Sequence, residues 1–304
     1  MIVTLLICTH NRAASLKDTL ASLIGQRTEK DFDFEIQIVD NASTDETKSV
    51  VESFQPAFNG RLRYFFEAKK GKPYAMNFGI KEAKGEIVAF IDDDCLVEDP
   101  DFLLKISRVF QEQSSKVGFI GGKILPLWIG TPAPEWVNES FLGPLALLDY
   151  GNEPFVLEFN RPDLNKRLFY GANFAFRKEV FQKHGGINVN KALSQDTDIC
   201  LRLLKAGEKG YYAPHIWVKH KVSTDRLSPQ YFYQWYYKRG IYHDMDENYQ
   251  RKIYHPFGVP FWLMKQTGVY FLRSLFTRTR TEQVKNRCFA YYNWGRMVKL
   301  AKGK

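Results

Sequence analysis

Residues Glu86–Pro100 read EIVAFIDDDCLVEDP. The apolar run Ile87, Val88, Ala89, Phe90 and Ile91 stops at three consecutive carboxylates, Asp92, Asp93 and Asp94. A short continuous apolar run, rather than an alternating one, is the pattern of a strand covered on both faces. Acids at its end then stand on the carboxyl edge of a parallel sheet, where α/β folds bind ligands. Adjacent carboxylates repel, so the cluster calls for a cation or for solvent. Oxygen ligands favour hard ions such as Mg²⁺ or Mn²⁺. An acidic turn is the competing reading, since acids are common in turns.

Upstream, strand and helix patterns alternate. Ile2–Cys8 is apolar and β-branched, and the polar turn Thr9-His10-Asn11-Arg12 follows. Leu16, Leu20, Leu23 and Ile24 then recur at helical spacing as far as Gly25. Phe34–Val39 predicts a second strand ending at Asp40, and Ser43 with Glu46 has the spacing of a capping box. Asp40 stands about where dinucleotide folds keep an acid for a ribose or base, but no G-x-G-x-x-G fingerprint follows the first strand. Arg61–Glu67 predicts a third strand, and the basic loop Lys69-Lys70-Gly71-Lys72 leads into a helix over about Pro73–Ala83. That loop reads either as a diphosphate contact or as a solvated lysine run. Alternating strands and helices predict a mostly parallel sheet with these polar turns on one edge.

Downstream, the sequence predicts a helix over Asp101–Gln113 and a strand over Gly118–Leu125. Trp128–Pro154 is rich in aromatic residues, proline and glycine, which suits a lid or acceptor-facing loop as well as core packing. A strand over Tyr170–Arg177 begins beside Gly171, which permits close backbone approach. A helix over Lys178–His184 comes next, and Ser194–Asp198 opens another. Acids at a helix N-terminus are stabilised by its dipole, which competes with reading Asp196 as a general base. Lys209–Val218 predicts a final strand with His220 just beyond it, a residue type found both in structural roles and as a manganese-class ligand.

Composition narrows the class. The chain has 304 residues, 44% of them hydrophobic, enough for one large α/β domain with an appendage or for two domains. At 25% charged residues it is not a disordered chain, and its net charge of +9 suits anionic partners. Zinc-finger spacing is absent, and Cys8, Cys95, Cys200 and Cys288 lie far apart, as in a reducing cytosol. The N-terminus lacks a signal-peptide pattern. From Ser228 to Lys304 the chain becomes aromatic and basic, and Lys265, Gln266 and Arg273 interrupt the apolar stretch Phe257–Phe276. That pattern fits an interfacial helix on an anionic membrane, helices covering the sheet, or a dimer contact.

Five ordered segments, ICTHNR, IVDNASTD, GKPYAMNFGIKEAKGEIVAFIDDD, GANFAFRKEVF and QDTDICLRLLKAG, together resemble the inverting family 2 glycosyltransferases of the GT-A fold over about residues 1–226. The resemblance implies a Rossmann-like, mostly parallel sheet flanked by helices, split into a nucleotide-binding half (1–100) and an acceptor and catalytic half (101–226). A helical extension would occupy 227–304. It further implies Thr9, Asn11, Arg12, Asp40, Lys72, Asp92, Asp93 and Gly171 as donor-binding residues. Asp94 and His220 would be ligands of a Mn²⁺ or Mg²⁺ ion within a DXD motif, and Asp196 the general base. One departure is Gln195, which stands where the family's ED motif has glutamate. The QxxRW signature of processive synthases has only a loose echo in Gln234–Gly240, so transfer of a single sugar is expected. The implied donor is a nucleotide-sugar, most simply a UDP-sugar. The implied acceptor is a hydroxyl of a glycan, glycolipid or protein-linked chain in polysaccharide or glycoconjugate assembly. Nucleic acid is not expected as a partner. The implied setting is cytoplasmic, with peripheral contact with the inner face of the plasma membrane and homodimerisation as further options. A nucleotidyltransferase and a non-catalytic nucleotide- or glycan-binding protein on the same scaffold are the alternatives. The first would want a glycine-rich basic loop after the first strand, which Thr9–Arg12 is not.

Overall fold

The computed structural model describes residues 1–113, 117–191, 194–242 and 258–302. It divides into two compact units, Met1–Leu127 with Ala146–Lys221, and Trp128–Leu145 with Val222–Lys304.

The first unit is built on one mixed sheet. Its strands are β1 (Ile2–Thr9), β2 (Asp33–Asp40), β3 (Leu62–Phe66), β4 (Ile87–Asp92), β5 (Cys95–Leu96), β6 (Val117–Ile129), β7 (Phe155–Leu157), β8 (Asn173–Arg177) and β9 (Lys209–Ser223), in the order β3-β2-β1-β4-β8-β6-β9-β5 with β7 on β9. Pairing is parallel through β3-β2-β1-β4 and antiparallel from β4 to β8 and β8 to β6. The parallel half follows from the helices α1 (Ala13–Leu23), α2 (Thr47–Phe54) and α3 (Lys72–Glu82), each of which carries the chain back to the start of the next strand. Leu5, Leu6 and Ile7 of β1 and Val88 and Ala89 of β4 are buried, as their unbroken apolar runs require.

The switch to antiparallel pairing is packed with phenylalanine. Phe90 of β4 lies opposite Phe174 of β8, with ring centroids 5.1 Å apart, and Phe176 stacks on Phe119 of β6 at 5.7 Å. Phe181 of α5 (Lys178–His184) closes the same cluster. Helices α4 (Phe102–Glu112) and α6 (Gln195–Lys205) complete this unit. Two strands run further than the sequence suggests: β6 continues to Ile129, and β9 continues through His220 to Ser223. His220 is therefore a strand residue rather than one beyond the strand.

The second unit contains α7 (Pro229–Ile241), α8 (Phe261–Phe276) and α9 (Arg280–Ala301), numbered among the described residues. Gly240 of α7 and Gly295 of α9 let these two helices meet backbone to backbone. A β-carbon at Gly240 would stand 2.1 Å from the Tyr292 carbonyl, and one at Gly295 would stand 2.2 Å from that of Tyr237. Trp136 and Phe141 pack edge-on against Phe232 of α7, at 5.3 and 5.1 Å. Trp136 and Phe141 of that loop are thus packing residues, and Phe141 is fully buried.

Candidate active site

The carboxyl edge of β1, β2 and β4 carries the predicted polar turns, and local chemistry fixes each one. Asp45 accepts the Ala13 amide at the start of α1 with one oxygen, and the Thr47 amide and hydroxyl at the start of α2 with the other. A carboxylate at two helix N-termini is favoured by both dipoles. The capping box expected of Ser43 and Glu46 does not form, because the Ser43 hydroxyl accepts the Asn11 amide instead. Asn11, at a left-handed φ of 52°, returns a contact by accepting the Thr44 amide at 2.7 Å. Asn11 therefore braces two turns against each other.

The three aspartates diverge. Asp93 is buried and accepts the Thr9 hydroxyl at 2.7 Å and an Arg12 guanidinium N–H at 2.8 Å. Burial, reinforced by Asp94 and Asp92 and opposed by Arg12 and Thr9, raises its carboxyl to about 6. Asp94, 5% exposed, takes the second arm of Arg12 on Oδ2 at 2.9 Å. Its Oδ1 lies 3.2 Å from Nε2 of His220 but receives no hydrogen bond, and Nδ1 of His220 is likewise buried without a hydrogen-bond partner. Burial alone would raise the Asp94 carboxyl; His220 and Arg12 more than reverse it and hold it below the ordinary carboxylate range. Asp92, at the tip of β4, is less buried and pairs with the Lys72 ammonium. Burial works against the charge on Lys72, yet Asp92 outweighs it and keeps the ammonium firmly protonated.

His220 reaches Asp94 through a two-residue strand. Cys95 of β5 is in register with His220 of β9, and the Lys221 amide donates to the Asp94 carbonyl at 2.9 Å. Ligand atoms of Asp92, Asp94 and His220 lie within 4.8 Å of one another. Two carboxylates and an imidazole suit a manganese- or magnesium-class ion. The orphaned Asp94 oxygen and His220 nitrogen are the buried polar atoms that a bound ion or its water would satisfy.

A cavity of about 320 Å³ opens beside this cluster, lined by Thr9, Arg12, Lys72, Asp92 and Asp93 among others. Gly71 turns the chain into α3 with φ of 131°, a value suited to glycine, and its amide donates to the Asn41 side chain at 2.6 Å. The same Asn41 side chain donates to the carbonyls of Glu67 and Lys69, so it fixes the loop that presents Lys72. Asn41, His10 and Lys70 also line the cavity; Lys70 belongs to the basic loop read as a diphosphate contact, whereas Asn41 and His10 were not named for the site. Their only signal was membership of the same polar turns.

Three predicted donor residues, Asp40, Asn11 and Gly171, stand outside the cavity lining. Asp40 is 2% exposed, and its oxygens are taken by the Ser43 amide at 2.9 Å and the Tyr64 hydroxyl at 2.8 Å. Asp196 lies in the first turn of α6, where Oδ2 accepts the Gly171 amide at 3.2 Å and Oδ1 the Thr197 amide at 2.8 Å. Burial raises its carboxyl above the ordinary value, against those two amides and Lys72.

Comparison with known proteins places the chain in a class. The Glycosyl transferase family 2 profile matches residues 4–185. A glucosyl-dolichyl phosphate glucuronosyltransferase of Haloferax volcanii is 26% identical over 254 residues, covering 79% of this chain and 77% of that protein. The O-antigen chain rhamnosyltransferase WbaN of Salmonella anatum is 22% identical over 243 residues, covering 78% and 71%. Among solved structures, the mannosyltransferase PcManGT of Pyrobaculum calidifontis in complex with GDP-Man and Mn²⁺ superposes with a TM-score of 0.59 at 18% identity, covering 99% of this chain and 73% of that one. Staphylococcus aureus TarS 1-349 in complex with UDP-GlcNAc gives 0.56 at 16%, covering 97% and 91%. The fold is that of the GT-A glycosyltransferases. The chain belongs to glycosyl transferase family 2.

Proposed function

We propose that this glycosyltransferase moves one sugar, with inversion, from a UDP-sugar to an acceptor hydroxyl in glycan or glycoconjugate assembly, with transfer carried by residues 1–226 and 227–304 forming an extension. The observation that carries the reading is the Asp92, Asp94 and His220 cluster, its ligand atoms within 4.8 Å of one another, beside a cavity with a lysine and an arginine on its wall. A divalent ion held by Asp92, Asp94 and His220 would supply positive charge next to the departing diphosphate. Mn²⁺ in the PcManGT complex supports that choice of cation class.

The chain's own groups do the remainder. Lys72, kept charged by Asp92, faces the diphosphate, and Arg12 adds a fixed positive charge behind Thr9. Asn41, His10 and Lys70 form the wall for the nucleoside, in preference to Asp40, which is buried against Ser43 and Tyr64 and stands outside the cavity lining. Asp196 takes the proton of the acceptor hydroxyl. That oxygen bonds to the anomeric carbon as the carbon–oxygen bond to phosphate breaks on the opposite face, and the electron pair leaves with the nucleoside diphosphate. A raised carboxyl suits a base working nearer neutral pH.

The test is a thermal-shift screen of UDP- and GDP-sugars with and without Mn²⁺, followed by product analysis. A donor at 100 times its Kd should add about 2.7 kcal/mol of stability. Release of nucleoside diphosphate and an inverted anomeric centre are expected. Stabilisation that does not depend on Mn²⁺ would remove the ion, release of pyrophosphate would remove sugar transfer, and retained configuration would remove Asp196 as base.

A further inference from the structure

Helix α8 is built the wrong way round for a helix in water. Of its 16 residues only Leu263 and Ser274 are buried. The side toward α9 is largely polar: Ser274 meets Arg287 at 3.4 Å, Gln266 meets Asn293 at 3.4 Å, and the Tyr270 ring lies tilted against Phe289 at 5.2 Å. The Thr267 and Ser274 hydroxyls are turned back onto their own helix, donating to the carbonyls of Leu263 and Phe271. The opposite side shows Met264, Val269, Phe271, Leu272, Leu275 and Phe276 at 37–83% exposure. A surface helix normally buries its apolar stripe and exposes its polar one. A continuous apolar face of this kind marks an interaction surface.

Charge identifies what covers it. From residue 258 to residue 281 the chain contains no Asp or Glu, while Lys265, Arg273, Arg278 and Arg280 lie in or just beyond α8. Among the described residues no carboxylate pairs with Lys265, Arg273 or Arg278. At 3.6 residues per turn Lys265 falls amid the apolar arc and Arg273 on its flank. Pairing of α8 with a second copy across a two-fold axis would bring these cations against their counterparts, with no Asp or Glu between residues 258 and 281 to compensate. A bilayer with anionic headgroups satisfies both demands: acyl chains take the apolar arc, and long cationic side chains reach the phosphates. The helix is about 24 Å long, short of the ~30 Å hydrocarbon core, and no helix among the described residues is long and apolar enough to cross a membrane. It would lie in the interface plane.

We propose that α8 is a membrane-surface helix whose Met264–Phe276 apolar face docks onto a bilayer rich in anionic lipid. The proposal is independent of the donor chemistry, because none of these residues belongs to the candidate active site. The full chain should co-sediment with phosphatidylglycerol–phosphatidylcholine vesicles about tenfold or more better than with pure phosphatidylcholine, and less as salt rises. The double variant L272E/F276E should lose about tenfold or more of that binding while its melting temperature and its thermal response to nucleotide-sugar in lipid-free solution stay as in the parent. A triple variant K265Q/R273Q/R278Q should bind both vesicle types alike. Failure of the parent chain to bind anionic vesicles, unchanged binding by L272E/F276E, or a lipid-free dimer that L272E/F276E dissolves would each overturn it, the last in favour of self-association.

Discussion

Two buried carboxylates in one sheet show how differently the same group can be used. Glu35, at the amino end of β2, is 6% exposed, and Asp94, past the carboxyl end of β4, is 5% exposed. Four donors surround Glu35: the Thr4 hydroxyl at 2.8 Å, the Gln37 side chain at 3.1 Å, the Lys84 amide at 2.7 Å and the Arg63 guanidinium at 2.8 Å. Asp94 has Arg12 on one oxygen and no hydrogen bond on the other. Burial therefore does not mark a functional acid. What sets Asp94 apart is the side that Arg12 leaves open, where a histidine and a second carboxylate stand within ligand distance.

The sharpest way to break this contrast is at Asp94. Asp94→Ala should lower turnover by about a thousandfold or more, the rate equivalent of several kcal/mol of lost charge stabilisation, and should abolish Mn²⁺-dependent donor binding in calorimetry. An unchanged isotherm would return Asp94 to the structural class of Glu35. Next in size, Asp196→Asn should reduce kcat by about 10²- to 10⁴-fold with the donor Kd unchanged. The sign of its pH dependence follows from the raised carboxyl: Asp196 takes up its proton at a higher pH than an ordinary aspartate. The acid limb of kcat/KM for the parent should therefore lie above about pH 4, and a limb at or below it would contradict the assignment.

Glu35→Ala tests the other side of the comparison. It should cost about 3 kcal/mol in chemical denaturation, as expected when a buried ion pair loses one partner, with kcat per folded molecule intact. A collapse of kcat without loss of stability would mean that the two ends of the sheet are not functionally distinct. The smallest effect is expected for Asp40→Asn, about 1 kcal/mol of stability from weakened contacts to Ser43 and Tyr64. Donor affinity should then change by less than about threefold; a larger loss would restore Asp40 to the nucleotide pocket.

The sequence showed these two ends unequally. Apolar runs made β1 and β4 readable, and leucine spacing made α1 readable, because both patterns report local burial. The Asp92–Asp94 cluster and Lys72 stood out because charge placed directly after a buried strand has few structural uses. What escaped were partners distant in sequence. Nothing near Asp40 shows that Tyr64, on the neighbouring strand, takes its carboxylate. Nothing near Ser43 shows that the Asn11 amide diverts its hydroxyl from the α2 terminus. The end of β9 was misread for a local reason. Lys219 and Lys221 interrupt its apolar run, yet buried and half-buried positions alternate through Ser223, so that stretch is half-covered strand and His220 points inward. The inversion of α8 was hidden as well, since an apolar helix reads alike whether its stripe faces protein or something else.

The pairing of Cys95 with His220 has a consequence for how the molecule comes together. Asp92 and Asp94 follow the fourth strand, whereas their histidine arrives on the ninth, after most of the first unit has been threaded. Contacts so distant in sequence form late and slowly. A chain whose sheet is complete only through β4 can hold the Thr9 and Arg12 turn against Asp93, but it has no imidazole beside Asp94. The cluster is thus a seam between the fourth and ninth strands, and it closes only once β9 is in place.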